Sequence, residues 1–200
     1  VNKNIGLQGI FADGFRADGQ HFSSRTISGK TFSHDIQFNT TKNEVYTGTR
    51  YNFSEGINSK HYKNFIDLVN KLESSGANVV IFFPPFAPEI NTALDNSKKI
   101  KFISELQNKF IKDNIAFYDF TNSSKINSSS CEFIDGIHPG IVTNAKLLQE
   151  ISKNDNKILN YLDLEYLNNI INDYQGLSYV PNKEISSFPE VDYLNIGCKK

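Results

Sequence analysis

Asn78-Val79-Val80-Ile81-Phe82-Phe83, closed by Pro84-Pro85, is the stretch on which the fold turns. It is a short continuous apolar run rich in β-branched and aromatic side chains, and the two prolines stop it. Such a run predicts a strand buried on both faces, as in parallel sheets. Before it, Tyr62, Phe65, Ile66, Val69 and Leu72 recur at helical spacing behind the candidate caps Asn58 and Ser59, with Gly76 as the stop. After it the grammar repeats. Ile100, Ile103, Leu106 and Phe110 mark a second helix face, and Ile115-Ala116-Phe117-Tyr118-Asp119 predicts a second buried strand. Helix then strand, twice over, predicts an α/β fold on a parallel sheet.

Further out the pattern weakens. Residues 1–56 are rich in Gly, Asp, Thr, Ser and Asn without a sustained helical period, and are read as irregular structure with short extended pieces packed on the core. Residues 57–153 form the α/β core. Within it, a Ser/Asn-rich loop at 121–130 leads to a turn at Asp135–His138 and then to a helix outlined by Val142, Ala145, Leu148 and Ile151. In residues 154–200, Ile158, Leu162, Tyr166 and Ile170 predict one more helix, and Pro181 to Lys200 reads as a loosely structured tail. The tail carries no recognisable motif.

Composition narrows the classes of function. The 200 residues carry 21 Lys+Arg against 22 Asp+Glu, with no basic block to neutralise a run of phosphates, so nucleic acid is not an expected partner. No stretch reaches the roughly 18 apolar residues that cross a bilayer, and no membrane segment is expected in this chain. Two cysteines, Cys131 and Cys198, are too few for a disulfide framework, and their spacing does not say whether they meet.

The chemistry concentrates in Asp135-Gly136-Ile137-His138-Pro139. An aspartate three residues before a histidine, in a turn shaped by Gly136 and released into a helix by Pro139, brings its carboxylate to one imidazole nitrogen. The other nitrogen is then turned toward a cleft, where it can take a proton from a serine hydroxyl and return it to the leaving group. The position suits the role, because ligands of open α/β sheets bind beyond the carboxyl ends of the strands.

Val79 to Pro85, the strand ending in Tyr118-Asp119 and Phe133-Ile134-Asp135-Gly136-Ile137-His138-Pro139-Gly140 together resemble the C-terminal half of the SGNH hydrolase superfamily. The likeness spans roughly residues 60–152 and is nearest to the membrane-associated branch of carbohydrate O-acyltransferase-like proteins. Arg16-Ala17-Asp18-Gly19 also looks like a segment that precedes this region in some relatives. The resemblance implies a three-layer parallel-sheet architecture of SGNH or flavodoxin-like type, incomplete at the N-terminus. It implies a serine esterase or O-acyltransferase acting on acylated carbohydrate or another ester, with Asp135 and His138 as catalytic residues, no cofactor and no metal. It also implies an extracytoplasmic location, periplasmic or at the cell surface.

That family carries a Gly-Asp-Ser or Gly-x-Ser block on its first strand, which cannot be placed here. Ser28, Ser33 and Ser54 do not follow an apolar run that would present a nucleophile. The expectation is therefore that the attacking serine lies upstream of Val1 and that this chain alone has little or no catalysis. The alternative is a non-catalytic glycan-binding or structural domain that retains the fold.

Other residues have plainer readings beside their chemical ones. Asp13, Asp18, His21, His34 and Asp35 offer oxygen and nitrogen ligands within a short span, but no metal-site spacing, and solvated turns are the favoured reading. His61 is read as a surface residue at a helix start. Asp119 either lines the cleft or caps the turn after its strand. Pro84, Pro85 and Pro88 are read as a rigid loop, Phe82, Phe83 and Phe86 as core, and Cys131 as a small buried residue.

Overall fold

The computed structural model describes residues 13–15, 21–23, 35–49, 56–97, 101–180 and 192–198. Two short strands, β1 (Asp13–Phe15) and β2 (His21–Ser23), form an antiparallel pair with Gly14 opposite Phe22. A 3-10 turn at Ile36–Phe38 then runs into helix α1 (Asn39–Thr47). Helix α2 (Ser59–Ser74) follows the predicted boundaries because each signal acts locally. The Asn58 side chain accepts the His61 amide at 3.0 Å, and Gly76, at φ +89°, closes a reversal in which the Ala77 amide reaches the Leu72 carbonyl.

The next strand, β3 (Phe82–Phe83), lies parallel to β4 (Tyr118–Asp119), with Phe82 opposite Tyr118 and Phe83 opposite Asp119. Between them lie α3 (Pro88–Ser97) and α4 (Phe102–Lys112), and beyond them α5 (Ile141–Asn154), the single turn α6 (Asn156–Leu159) and α7 (Leu164–Tyr174). The described chain is mixed α/β and mostly helical.

Several expectations change. The runs 78–83 and 115–119 shrink to two paired residues each, and the first is not buried on both faces, since Phe82 is 43% exposed. Apolar content alone does not make a strand; a ladder partner does, and here β3 and β4 pair only with each other among the described residues. Residues 1–56 are not irregular throughout, because α1 turns Thr41 and Val45 inward. The stretch after Pro84-Pro85 is not a loop, because Pro88 opens α3, a position where its missing N–H costs nothing. The C-terminal helix is two, interrupted where the Asp163 side chain caps α7 by accepting the Tyr166 amide at 2.9 Å. Ile100, Ser28, Ser33, Ser54, Asp18, His34, Arg16 and Gly19 lie outside the described residues, as does most of the predicted tail.

Three packing clusters hold these elements. Phe38 and Val45 from the α1 region meet Ala87 and Ile90 from α3 and its approach, together with Phe133, Tyr193 and Leu194. Phe120 and Ile126 pack on Leu147 and Ile151 of α5. The opposite face of α5, with Val142 and Ala145, packs on Leu167 and Ile170 of α7. On the outer side α2 lies against α4, where the Phe65 and Phe110 rings stack and the Tyr62 hydroxyl donates to Asp113 at 2.7 Å. Burial first, and then the Asp113 carboxylate, push that hydroxyl up to about 12.

Candidate functional site

The segment from Glu132 to Gly140 folds into a closed turn at the start of α5. Its neck is tied by the Ile134 amide on the His138 carbonyl, 2.9 Å, and by the Gly140 amide on the Glu132 carbonyl, 2.8 Å. Gly140 is obligatory at that crossing, since a Cβ there would overlap the carbonyl oxygens of Ser178 and Glu132.

Inside the turn, Asp135 Oδ1 accepts the Ile137 amide at 2.9 Å and the His138 amide at 2.8 Å. Its Oδ2 lies 2.7 Å from His138 Nδ1. Burial alone would push the Asp135 carboxyl up, but the His138 ring and the two amides outweigh it and hold the group below the usual carboxylate range. It is therefore ionised at neutral pH and can only accept, which fixes the proton of the neutral imidazole on Nδ1. Nε2 is then the basic nitrogen, on a ring whose side chain is 63% exposed. The sequence-predicted pair, Asp135 and His138, is thus brought together, with the carboxylate on Nδ1 and Nε2 directed away from it.

Around the turn stand groups far away in sequence. The Asp35 carboxylate, 7% exposed, accepts the Gly136 amide at 2.9 Å and is itself held by Thr41 through the amide at 2.9 Å and Oγ1 at 2.7 Å. The Tyr193 hydroxyl, buried, reaches the Phe133 and Ile134 carbonyls at 3.1 and 3.2 Å. Behind the turn the Glu132 carboxylate is closed off entirely. It receives Lys146 Nζ at 2.8 Å on both oxygens, Ser128 Oγ at 2.6 Å and the Gly176 amide at 2.9 Å. No short-range pattern announces Asp35 or Tyr193, because their partners lie about a hundred and about sixty residues away.

A cleft of about 490 Å³ opens beyond the carboxyl ends of β3 and β4, lined by Phe86, Asn91, Asp95, Lys101, Gln107 and Thr121 among others. Neither Asp135 nor His138 lines it. Phe86, which lines it, is followed by Ala87, whose amide donates to the Gly136 carbonyl at 3.1 Å.

The remaining candidates resolve on their contacts. Asp119 accepts the Thr121 amide at 3.0 Å and hydroxyl at 2.6 Å and pairs with Lys125 at 2.6 Å, so it caps its turn. Asp35 is a buried turn-holding group and not a solvated turn residue. Phe82 is not core, whereas Phe83 packs against Phe110 and Phe117, and Phe86 joins the cluster around Phe133. His61 is exposed at the start of α2. Cys131 is half buried and bonded to Cys198, so it is not a thiol. Among the described residues no three His, Cys, Asp or Glu side chains gather as a metal site, and no helix is long and apolar enough to cross a membrane. The side chains of Asp13 and His21 lie outside the described residues.

Comparison with known proteins finds no matching family model, no matching curated protein and no matching solved structure.

Proposed function

We propose that Asp135 and His138 are the acid and base of an SGNH-type serine esterase or O-acyltransferase that acts on acylated carbohydrate or a related ester. The observation that carries this reading is the 2.7 Å contact between His138 Nδ1 and a carboxylate whose other oxygen is locked by two backbone amides. In such a reaction Nε2 takes the proton of a serine hydroxyl as its oxygen attacks the ester carbonyl. The tetrahedral intermediate collapses, the same nitrogen returns the proton to the leaving alcohol, and an acyl-enzyme remains. Water or a sugar hydroxyl then repeats the sequence in reverse. The serine belongs to chain outside the described residues.

The same reading puts β3 and β4 in a larger, three-layer parallel sheet. Its support is the parallel pairing together with the exposure of Phe82, since parallel sheets are covered on both faces. The Cys131–Cys198 disulfide supports an oxidising, extracytoplasmic compartment.

The test is turnover of an acetylated sugar by the intact protein and its His138→Ala variant. Loss of the base is expected to lower kcat/KM by about 10²–10⁴-fold. Unchanged turnover would refute the assignment.

A further inference from the structure

We propose that Asp35 is a positioning residue for the Asp135–His138 pair, holding the peptide between Asp135 and Gly136 and through it the carboxylate that orients the imidazole. The inference rests on reading that pair as acid and base.

Part of the Asp35 geometry serves the start of α1, although the N-cap residue of that helix is Phe38. Its Oδ1 accepts the Thr41 amide, one of the N-terminal donors of α1 that the helix itself leaves unsatisfied. Holding that amide does not explain the second oxygen, which receives both Thr41 Oγ1 and the Gly136 amide, 101 residues away. A buried carboxylate is costly unless its lone pairs are filled, and here one of them is filled by the turn that carries the chemistry. The helix amide alone could be served by an asparagine or a serine.

The Gly136 peptides are gripped from both sides. The amide is on Asp35, the carbonyl accepts the Ala87 amide, and a Cβ at Gly136 would stand 2.8 Å from Ile90 Cγ1 and Thr41 Cγ2. The peptide before Asp135 is held as well, its Ile134 carbonyl accepting the Tyr193 hydroxyl at 3.2 Å, so with the Gly136 amide on Asp35 the backbone on both sides of Asp135 is fixed and its side chain emerges in one direction.

The segment that supplies Asp35 is held against its own preference. Gln37 and the fully buried Phe38 both take left-handed backbone angles, φ 52° and 56°, which side-chain-bearing residues rarely adopt. The Gln37 amide on the Leu194 carbonyl, 2.8 Å, and the burial of Phe38 keep them there. Strain of this kind persists where the surroundings over-determine a position, and the position it sets is that of Asp35.

The test reads the imidazole itself. Nitrogen-15 spectra of neutral His138 in the intact protein are expected to show the Nδ1–H tautomer, with exposed His61 as the internal reference for the Nε2–H form that free imidazole prefers. In Asp35→Asn the amide oxygen can still accept from Thr41, but an N–H now faces the Gly136 N–H. The expected result is a shift of His138 toward the Nε2–H tautomer and a kcat lower by about 10–100-fold with KM little changed. Ile151→Val, a destabilising change in a separate cluster, is expected to leave the tautomer alone. A folded Asp35→Asn protein with wild-type tautomer and kcat would overturn the proposal. If that variant does not fold, hydrogen exchange of the unaltered protein decides, because Gly136 amide exchange as fast as in an open peptide would also overturn it. A tautomer shift in Asp35→Asn, with turnover indifferent to His138→Ala, upholds the positioning and refutes the acid–base reading instead.

Discussion

Asp135 commits both of its oxygens to its own turn, and that commitment makes the turn sensitive to acid. Its carboxyl is held below the value of about 3.9 that an unfolded chain gives it. A depressed carboxylate contributes stability that is complete above the unfolded pKa and is lost as pH falls through the folded one. The gap in Tm between the wild-type protein and Asp135→Asn is therefore expected to close as pH drops from about 4 toward 2, measured by thermal unfolding. A gap undiminished at pH 2 would contradict the ionised, hydrogen-bonded state. At this scale the site is half legible in sequence. Asp135, Gly136 and His138 lie within four consecutive residues, so local geometry joins them. Asp35 meets them only across the fold, and in sequence it is one of three aspartates in a Gly-containing region, with nothing local to single it out.

Helix α5 is the element on which the turn rests. Its Lys146, 7% exposed, pairs with Glu132, 1% exposed, and also donates to the Asn127 carbonyl at 2.7 Å. The pair ties the first residue of the turn to the helix that follows, and Gly176 extends the tie to the end of α7. Removing one partner leaves the other buried without compensation, so Lys146→Met is expected to cost about 3–5 kcal/mol in urea unfolding. Adding Glu132→Gln to that variant should restore part of the loss, whereas a purely additive double mutant would argue against coupling. Helices α2, α4 and α5 are readable because apolar residues recur along one face between recognisable stops. Helix α1 is not, since only Thr41 and Val45 are buried and its place is set by packing on α3. The start of α3 did carry a signal, a proline at the first position with Glu89 in the first turn, but the cluster of prolines around it reads equally as a loop.

Across the whole molecule, two distant segments, Asp35 to Thr41 and Asp192 to Cys198, converge on the turn that Cys131 to Gly140 carries. The second is fastened by the disulfide to Cys131, two residues before Phe133, and it places Tyr193 on the Phe133 and Ile134 carbonyls. Far from being a loose tail, this described end of the chain is part of the wall behind the site. By chain entropy a cross-link that closes a loop of 67 residues is worth about 4 kcal/mol. Paired Cys131→Ser and Cys198→Ser substitutions should lower stability by that amount and raise hydrogen exchange at residues 133–138. Unchanged exchange there would mean the strap does not support the turn. Sequence could not assign the pairing, because nothing in the spacing of two cysteines brings them together without the fold. The central claim is that His138, oriented by Asp135, activates a serine. Its most direct measurement is labelling of the intact protein by a serine-directed phosphonate, mapped by mass spectrometry and repeated in His138→Ala. The account predicts one serine modified stoichiometrically, at a rate at least about 100-fold lower in the variant. Labelling at the same rate without His138, or ester turnover by a protein in which no serine is modified, would contradict it.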